Sequence, residues 1–151
     1  MSNKINLAIV FPGQGSQHVG MMNNIISLDP EIQKKFNTAS EILGYNILEV
    51  ITEGPKEKLN QTEITQPAIL LTSYVLWLIW KKRSKLTPTV LAGHSLGEYT
   101  ALLCAGVISF EEAVCLVSER GKSMQRSIPC LLYTSDAADE GLGVDLGGRR
   151  I

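Results

Sequence analysis

The stretch Thr89-Val90-Leu91-Ala92-Gly93-His94-Ser95-Leu96-Gly97-Glu98-Tyr99-Thr100-Ala101-Leu102-Leu103 decides the fold. An apolar run, a serine with a glycine two residues to either side, and a helix-like segment follow one another without a break, which is the pattern of a nucleophile elbow. The tight turn forces the serine into a strained backbone conformation, and the glycines let strand and helix approach without side-chain clash. Ser95 Oγ is thereby presented at a helix N-terminus, where the macrodipole and free N–H groups favour developing negative charge. That is what an acyl-transfer nucleophile needs. A purely structural turn is the plainer alternative, and the strand-before, helix-after context is what separates the two.

A second motif lies near the start. Leu7-Ala8-Ile9-Val10-Phe11 reads as a fully buried strand and breaks at Pro12-Gly13-Gln14-Gly15-Ser16-Gln17. A dinucleotide fingerprint would need glycine at 18, where His18 stands, so that reading fails. What remains is a glycine-flanked loop at a strand's C-terminal edge, where α/β sheets place ligands, or a simple strand-to-helix connection.

Downstream, Phe110, Ala113, Val114 and Val117 fall on one helical face, and Arg120 continues that stripe. An arginine on the apolar side of a helix must find an anion, and its planar fork suits an acyl group that ends in a carboxylate. The alternatives are snorkelling to solvent or an internal pair with Glu119 or Glu98. The chain has two histidines. His94 adjoins Ser95, so the elbow points their side chains apart and makes it a poor base for that hydroxyl, while His18 reads as a surface residue. Serine chemistry of this kind normally uses an imidazole to take and return the proton.

Five blocks together carry a family resemblance: F-P-G-Q-G-S-Q at 11–17, T-Q-P-A at 65–68, A-G-H-S-L-G-E-Y at 92–99, C-A-G-V-I at 104–108 and E-R-G-K-x-M-Q at 119–125. In order and spacing they resemble malonyl-CoA:acyl carrier protein transacylases of fatty acid synthesis. The resemblance implies that Ser95 carries the malonyl ester and that the backbone N–H groups of Gln14 and Leu96 form the oxyanion hole. It further implies that Arg120 pairs with the malonyl carboxylate and that Gln66 and His94 help line the substrate pocket. It implies ping-pong transfer from malonyl-CoA to the phosphopantetheine thiol of acyl carrier protein, with no metal or cofactor, by a cytoplasmic protein that is monomeric at full length. The fold implied is α/β, part of an α/β-hydrolase-like parallel-sheet subdomain, incomplete here. The family's catalytic histidine and its ferredoxin-like small subdomain come from later segments. The 151-residue chain is therefore expected to be inactive by itself.

The resemblance stops at residue 129. Beyond it, Gly141, Gly143, Gly147 and Gly148 argue against a regular element. Residues 130–151 resemble vector read-through and are set aside as a non-native or disordered tail, a true alternative C-terminus being the other reading. Residues 1–129 are taken as the amino-terminal part of the large subdomain. Met1, shortly ahead of the first strand, favours a free-standing enzyme over an acyltransferase domain of a polyketide synthase. A serine esterase or thioesterase shares the elbow but has no reason to place Arg120 on the pocket face.

A net charge of −1 and 44% hydrophobic residues describe a globular piece with no basic field for nucleic acid. The run Ala68–Trp80 falls short of the roughly 20 residues that span a bilayer. It reads as a core helix with Pro67 in its first turn and Lys81, Lys82 and Arg83 near its end. Cys104, Cys115 and Cys130 show no metal spacing and suit a reducing compartment, and the first two read as small core residues. The remaining pattern predicts strands at 6–11 and 89–93. Helices are predicted at 19–27, 31–43, 46–52, 55–60, 67–83, 96–105 and 110–126, an alternation that argues for a parallel sheet.

Overall fold

Two short strands organise the molecule. In the computed structural model, which describes residues 6–127, β1 (Ala8–Phe11) and β2 (Val90–Gly93) pair in parallel, with Ala8 opposite Val90 and Phe11 opposite Gly93. Between them run α1 (Pro30–Leu43), α2 (Ile47–Glu53), α3 (Lys56–Leu59) and α4 (Thr62–Arg83), and after β2 come α5 (Leu96–Cys104) and α6 (Phe110–Ser127). The fold is thus mixed α/β, a small parallel sheet amid many helices. The readings of residues 130–151 lie outside the described residues.

Local chemistry explains the helices. Asp29 caps α1 by accepting the Glu31 N–H at 2.9 Å, Pro30 supplies the first helical φ, and Ile32, Phe36 and Ala39 recur on one buried face. Asn46 caps α2 by accepting the Glu49 N–H at 3.2 Å. The Asp29 carboxylate also pairs with Lys82 at the far end of α4, and these two hydrogen bonds hold it below its ordinary pKa. The core that α1, α2, α4 and α6 enclose includes Phe36, Ile51, Leu71, Val75, Val114 and Val117, all fully buried. Each side chain of that size contributes about 1.5–3 kcal/mol on burial.

Three expectations need correction. The segment 19–27 is a series of turns ending in a 3-10 turn, Ile26–Leu28. Gly20 sits at φ 86°, outside helical space, and its N–H is spent on the Ile51 carbonyl at 2.8 Å, which ties the segment to α2. The core helix begins at Thr62, not at 67, so Pro67 is interior. Burial of Thr62, Ile64, Thr65 and Gln66 outweighs the backbone hydrogen bond that Pro67 forfeits, and α6 supplies an outside partner, with Gln125 Oε1 accepting the Thr62 N–H at 2.9 Å. Finally, β1 is buried on one side only. Phe11 is 5% exposed and meets Trp77 edge-on at 6.5 Å, whereas Val10, on the opposite face of the strand, is 71% exposed.

Candidate active site

Ser95 joins β2 to α5 with φ 55° and ψ −109°, the one positive φ on a non-glycine among the described residues. Such a conformation costs of order 1–3 kcal/mol and persists only where its surroundings over-determine it. They do so here. The Ser95 N–H donates to Glu98 Oε1 at 3.1 Å, and the Gly97 N–H to the His94 carbonyl at 2.9 Å. A Cβ on Gly93 would lie 2.1 Å from the Gly97 carbonyl carbon, and one on Gly97 would lie 2.3 Å from the Phe11 carbonyl oxygen. Both are backbone atoms and cannot give way. The ends of both strands and the first turn of α5 therefore converge at distances that only glycine permits.

The loop after β1 lies against this turn, since a Cβ on Gly13 would come 3.3 Å from the His94 carbonyl oxygen. The loop is also stapled to the start of α4. Gln14 Nε2 donates to Thr62 Oγ1 at 3.3 Å, and Gln17 Nε2 to Asn60 Oδ1 at 3.0 Å. Gln14 is thus held in a loop that abuts the Ser95 turn. Leu96, 1% exposed, is the first residue of α5, so its N–H has no partner within the helix. The His94 side chain is exposed, and so is that of His18. Neither hydrogen-bonds to Ser95.

Arg120 is brought to the same place by α6. It is half-buried, donates from Nη2 to Ser95 Oγ at 2.7 Å and from Nη1 to Gln66 Oε1 at 2.8 Å, and its guanidinium carbon lies 5.6 Å from the centre of the Tyr99 ring. Among the described residues it has no carboxylate partner. Glu119 pairs with Lys122 at 2.8 Å and Glu98 takes the Ser95 N–H, so the two internal partners weighed from the sequence are both engaged elsewhere. Gln66 is 0% exposed, and its Nε2 donates to Met124 Sδ at 3.1 Å. Ser95, Gln66 and Arg120, separated by 25 and 54 positions along the chain, form one hydrogen-bonded unit.

Sequence reasoning missed Thr62, Tyr99, Met124 and Gln125. Met124 and Tyr99 each stand four residues after a residue it had singled out, Arg120 and Ser95, and that helical spacing was the available signal. It also misjudged Cys115, which is exposed on the outer face of α6, while Cys104 is half-buried and burial pushes its thiol up to about 12. Cys130 lies outside the described residues. No group of three His, Cys, Asp or Glu side chains suited to a metal ion occurs among the described residues, and no helix there is long and apolar enough to cross a membrane.

The model of the acyl transferase domain family matches residues 8–130. This chain belongs to that family. A curated malonyl CoA-acyl carrier protein transacylase of Salmonella typhimurium is 50% identical to this acyl transferase domain over 122 residues, covering 81% of the chain and 40% of the relative. The crystal structure of an acyl carrier protein S-malonyltransferase from Vibrio cholerae superposes with a TM-score of 0.79 at 50% identity, over 83% of this chain and 41% of that one. A malonyl-transacylase in complex with its type II polyketide synthase acyl-carrier protein matches with the same TM-score at 46% identity, over 83% of this chain and 40% of that one. These relatives bear out the resemblance read from the five sequence blocks. The acyl transferase domain described here spans about 40% of the length of the curated relatives it matches.

Proposed function

We propose that this chain supplies the nucleophile and the carboxylate-binding arginine of a transferase that moves a malonyl group from malonyl-CoA to the phosphopantetheine thiol of acyl carrier protein. The observation that carries the reading is Arg120. It is a cation with no carboxylate partner among the described residues, held by neutral groups and donating directly to Ser95 Oγ. A guanidinium left in this state is an anion site adjacent to a nucleophile.

On this reading the Ser95 turn is a nucleophile elbow in an α/β-hydrolase-like subdomain to which residues 1–129 contribute the amino-terminal part. Ser95 Oγ attacks the thioester carbonyl while Arg120 releases the hydroxyl to take the malonyl carboxylate. The Gln14 and Leu96 N–H groups receive the oxyanion, and coenzyme A leaves as its thiol with the proton that Ser95 gave up. The pantetheine thiol then attacks the seryl ester, and Ser95 recovers its proton as malonyl-pantetheine departs. Two thiols thus alternate at one serine, so ping-pong kinetics follow. Neither histidine side chain of this chain hydrogen-bonds to Ser95, so on this reading the proton acceptor comes from the segment of the relatives that this chain does not match, and the chain alone is inactive. His94 borders the acyl pocket. No metal or prosthetic group takes part, the setting is cytoplasmic, and the full-length protein acts as a monomer.

The test is a chimera in which residues 1–127 are joined to the remaining carboxy-terminal segment of the Salmonella typhimurium relative. Incubation with malonyl-CoA is expected to add one malonyl mass to the peptide that contains Ser95, and acyl carrier protein to remove it. Ser95→Ala abolishes the adduct. Labelling at Ser16 or Cys104, or release of free malonate in place of transfer, would refute the reading.

A further inference from the structure

Gln66 is fully buried, and one helix grips its side-chain amide at both ends: Oε1 accepts from Arg120 Nη1 at 2.8 Å and Nε2 donates to Met124 Sδ at 3.1 Å. Arg120 and Met124 are four residues apart on α6 and so lie on the same face, one turn from each other. A guanidinium only donates and a thioether only accepts. The two ends of the amide are therefore not interchangeable. Rotating it by half a turn would set its NH2 against the guanidinium N–H groups and its oxygen against the sulfur lone pairs.

Relief by sliding is blocked as well. At residue 121 a Cβ would lie 2.8 Å from the Glu63 Cα, and at residue 125 the side chain holds the Thr62 N–H at 2.9 Å. These contacts fix α6 against the first turn of α4 on both sides of Met124. We propose that Met124 is a positioning residue: it keeps the Gln66 carbonyl oxygen aimed at Arg120, and so holds the guanidinium in the pose that selects acyl groups ending in a carboxylate. The inference rests on the transfer reading given above. In that reaction Arg120 lets go of Ser95 Oγ to take the substrate carboxylate, and Gln66 is the partner that stays with it. Met124 holds that partner still.

Met124→Leu keeps the volume, removes the acceptor and leaves a buried amide N–H unpaired. In the chimera, Ser95 ester formation is read with malonyl-CoA and with acetyl-CoA. The malonyl-to-acetyl ratio of kcat/KM is expected to fall about fivefold, less than on removal of Arg120 itself, chiefly through the KM for malonyl-CoA. Met124→Gln, whose amide oxygen again offers an acceptor, is expected to restore the ratio to within about twofold. If the unsubstituted chimera places no malonyl on Ser95, the transfer reading fails and takes this inference with it. If it does, and the ratio in Met124→Leu is unchanged, Met124 alone is overturned. Should Met124→Leu lose its cooperative thermal transition, Met124→Gln decides: a preserved ratio sustains the role, and a ratio that collapses in a folded protein overturns it.

Discussion

Arg120→Ala in the chimera separates binding of a carboxylate from general support of the fold. The substitution removes the donors that meet Ser95 Oγ at 2.7 Å and Gln66 Oε1 at 2.8 Å. A charge-assisted hydrogen bond contributes about 1.5–3 kcal/mol, which at 1.36 kcal/mol per decade corresponds to roughly 10–150-fold in rate. Part of this is offset, because in the free protein Arg120 already donates to Ser95 Oγ and must give up that bond, which also has a charged donor. The lower end, about tenfold or somewhat more, is therefore the expected fall in malonyl kcat/KM relative to acetyl. Acetyl has no carboxylate to lose, and its rate should stay level or rise once Ser95 Oγ is released. A second consequence follows from burial: Gln66, 0% exposed, is left with an unpaired carbonyl oxygen, which costs about 1–3 kcal/mol of stability. Arg120→Lys keeps the charge but not the fork and should recover part of the malonyl rate. The assay is rapid-quench mass spectrometry of the Ser95 peptide with each acyl-CoA, beside a thermal melt. Equal losses on both substrates at an unchanged ratio would make Arg120 structural and refute the reasoning.

Gly97→Ala drives a Cβ to 2.3 Å from the Phe11 carbonyl oxygen, a backbone atom, and should cost at least about 1–3 kcal/mol together with loss of Ser95 labelling; a melt and an ester assay indistinguishable from the parent would show that the turn can open. The cysteines should differ sharply in thiol chemistry. With its thiol pushed up to about 12 by burial, Cys104 is about one part in ten thousand thiolate at pH 8, so peptide-resolved alkylation of the native chain should mark Cys115 well before Cys104, and comparable rates would contradict the packing around α5.

Much that depends on neighbours along the chain was legible beforehand. The glycines at 93 and 97, the apolar run before them and the helix after them predict a strained strand-to-helix turn at Ser95, although the contact that bars a side chain at 97 comes from Phe11 on the other strand. Ser95, Gln66 and Arg120 were all marked from the sequence. Their mutual distances were not, since contacts across 25 and 54 positions depend on how α4 and α6 pack. The same limit explains Pro67: proline announces a helix start by local rules, yet the buried face of Thr62, Ile64, Thr65 and Gln66 carries α4 one turn further back. The exposed side of β1 is a third case. An unbroken apolar run says that a strand can be covered on both faces, but whether a given face is covered is decided by elements elsewhere in the chain.

Arg120 is held by an amide and a hydroxyl rather than by a carboxylate, and on the proposed reading that choice sets what the site can bind. A buried glutamate at position 66 would neutralise the guanidinium, and an incoming carboxylate would have to break an ion pair whose separation leaves an unpaired buried charge, a loss of about 3–5 kcal/mol. Gln66 supplies the same geometry with no net charge. The cation then keeps its full attraction for an anion, about 4 kcal/mol at 4 Å for an effective dielectric constant near 20. Neutral partners carry their own requirement, because a side-chain amide, unlike a carboxylate, has a wrong way round. A carboxylate at 66 would need no orienting neighbour; a glutamine needs an acceptor at its far end, and the thioether of Met124 is the group in that position.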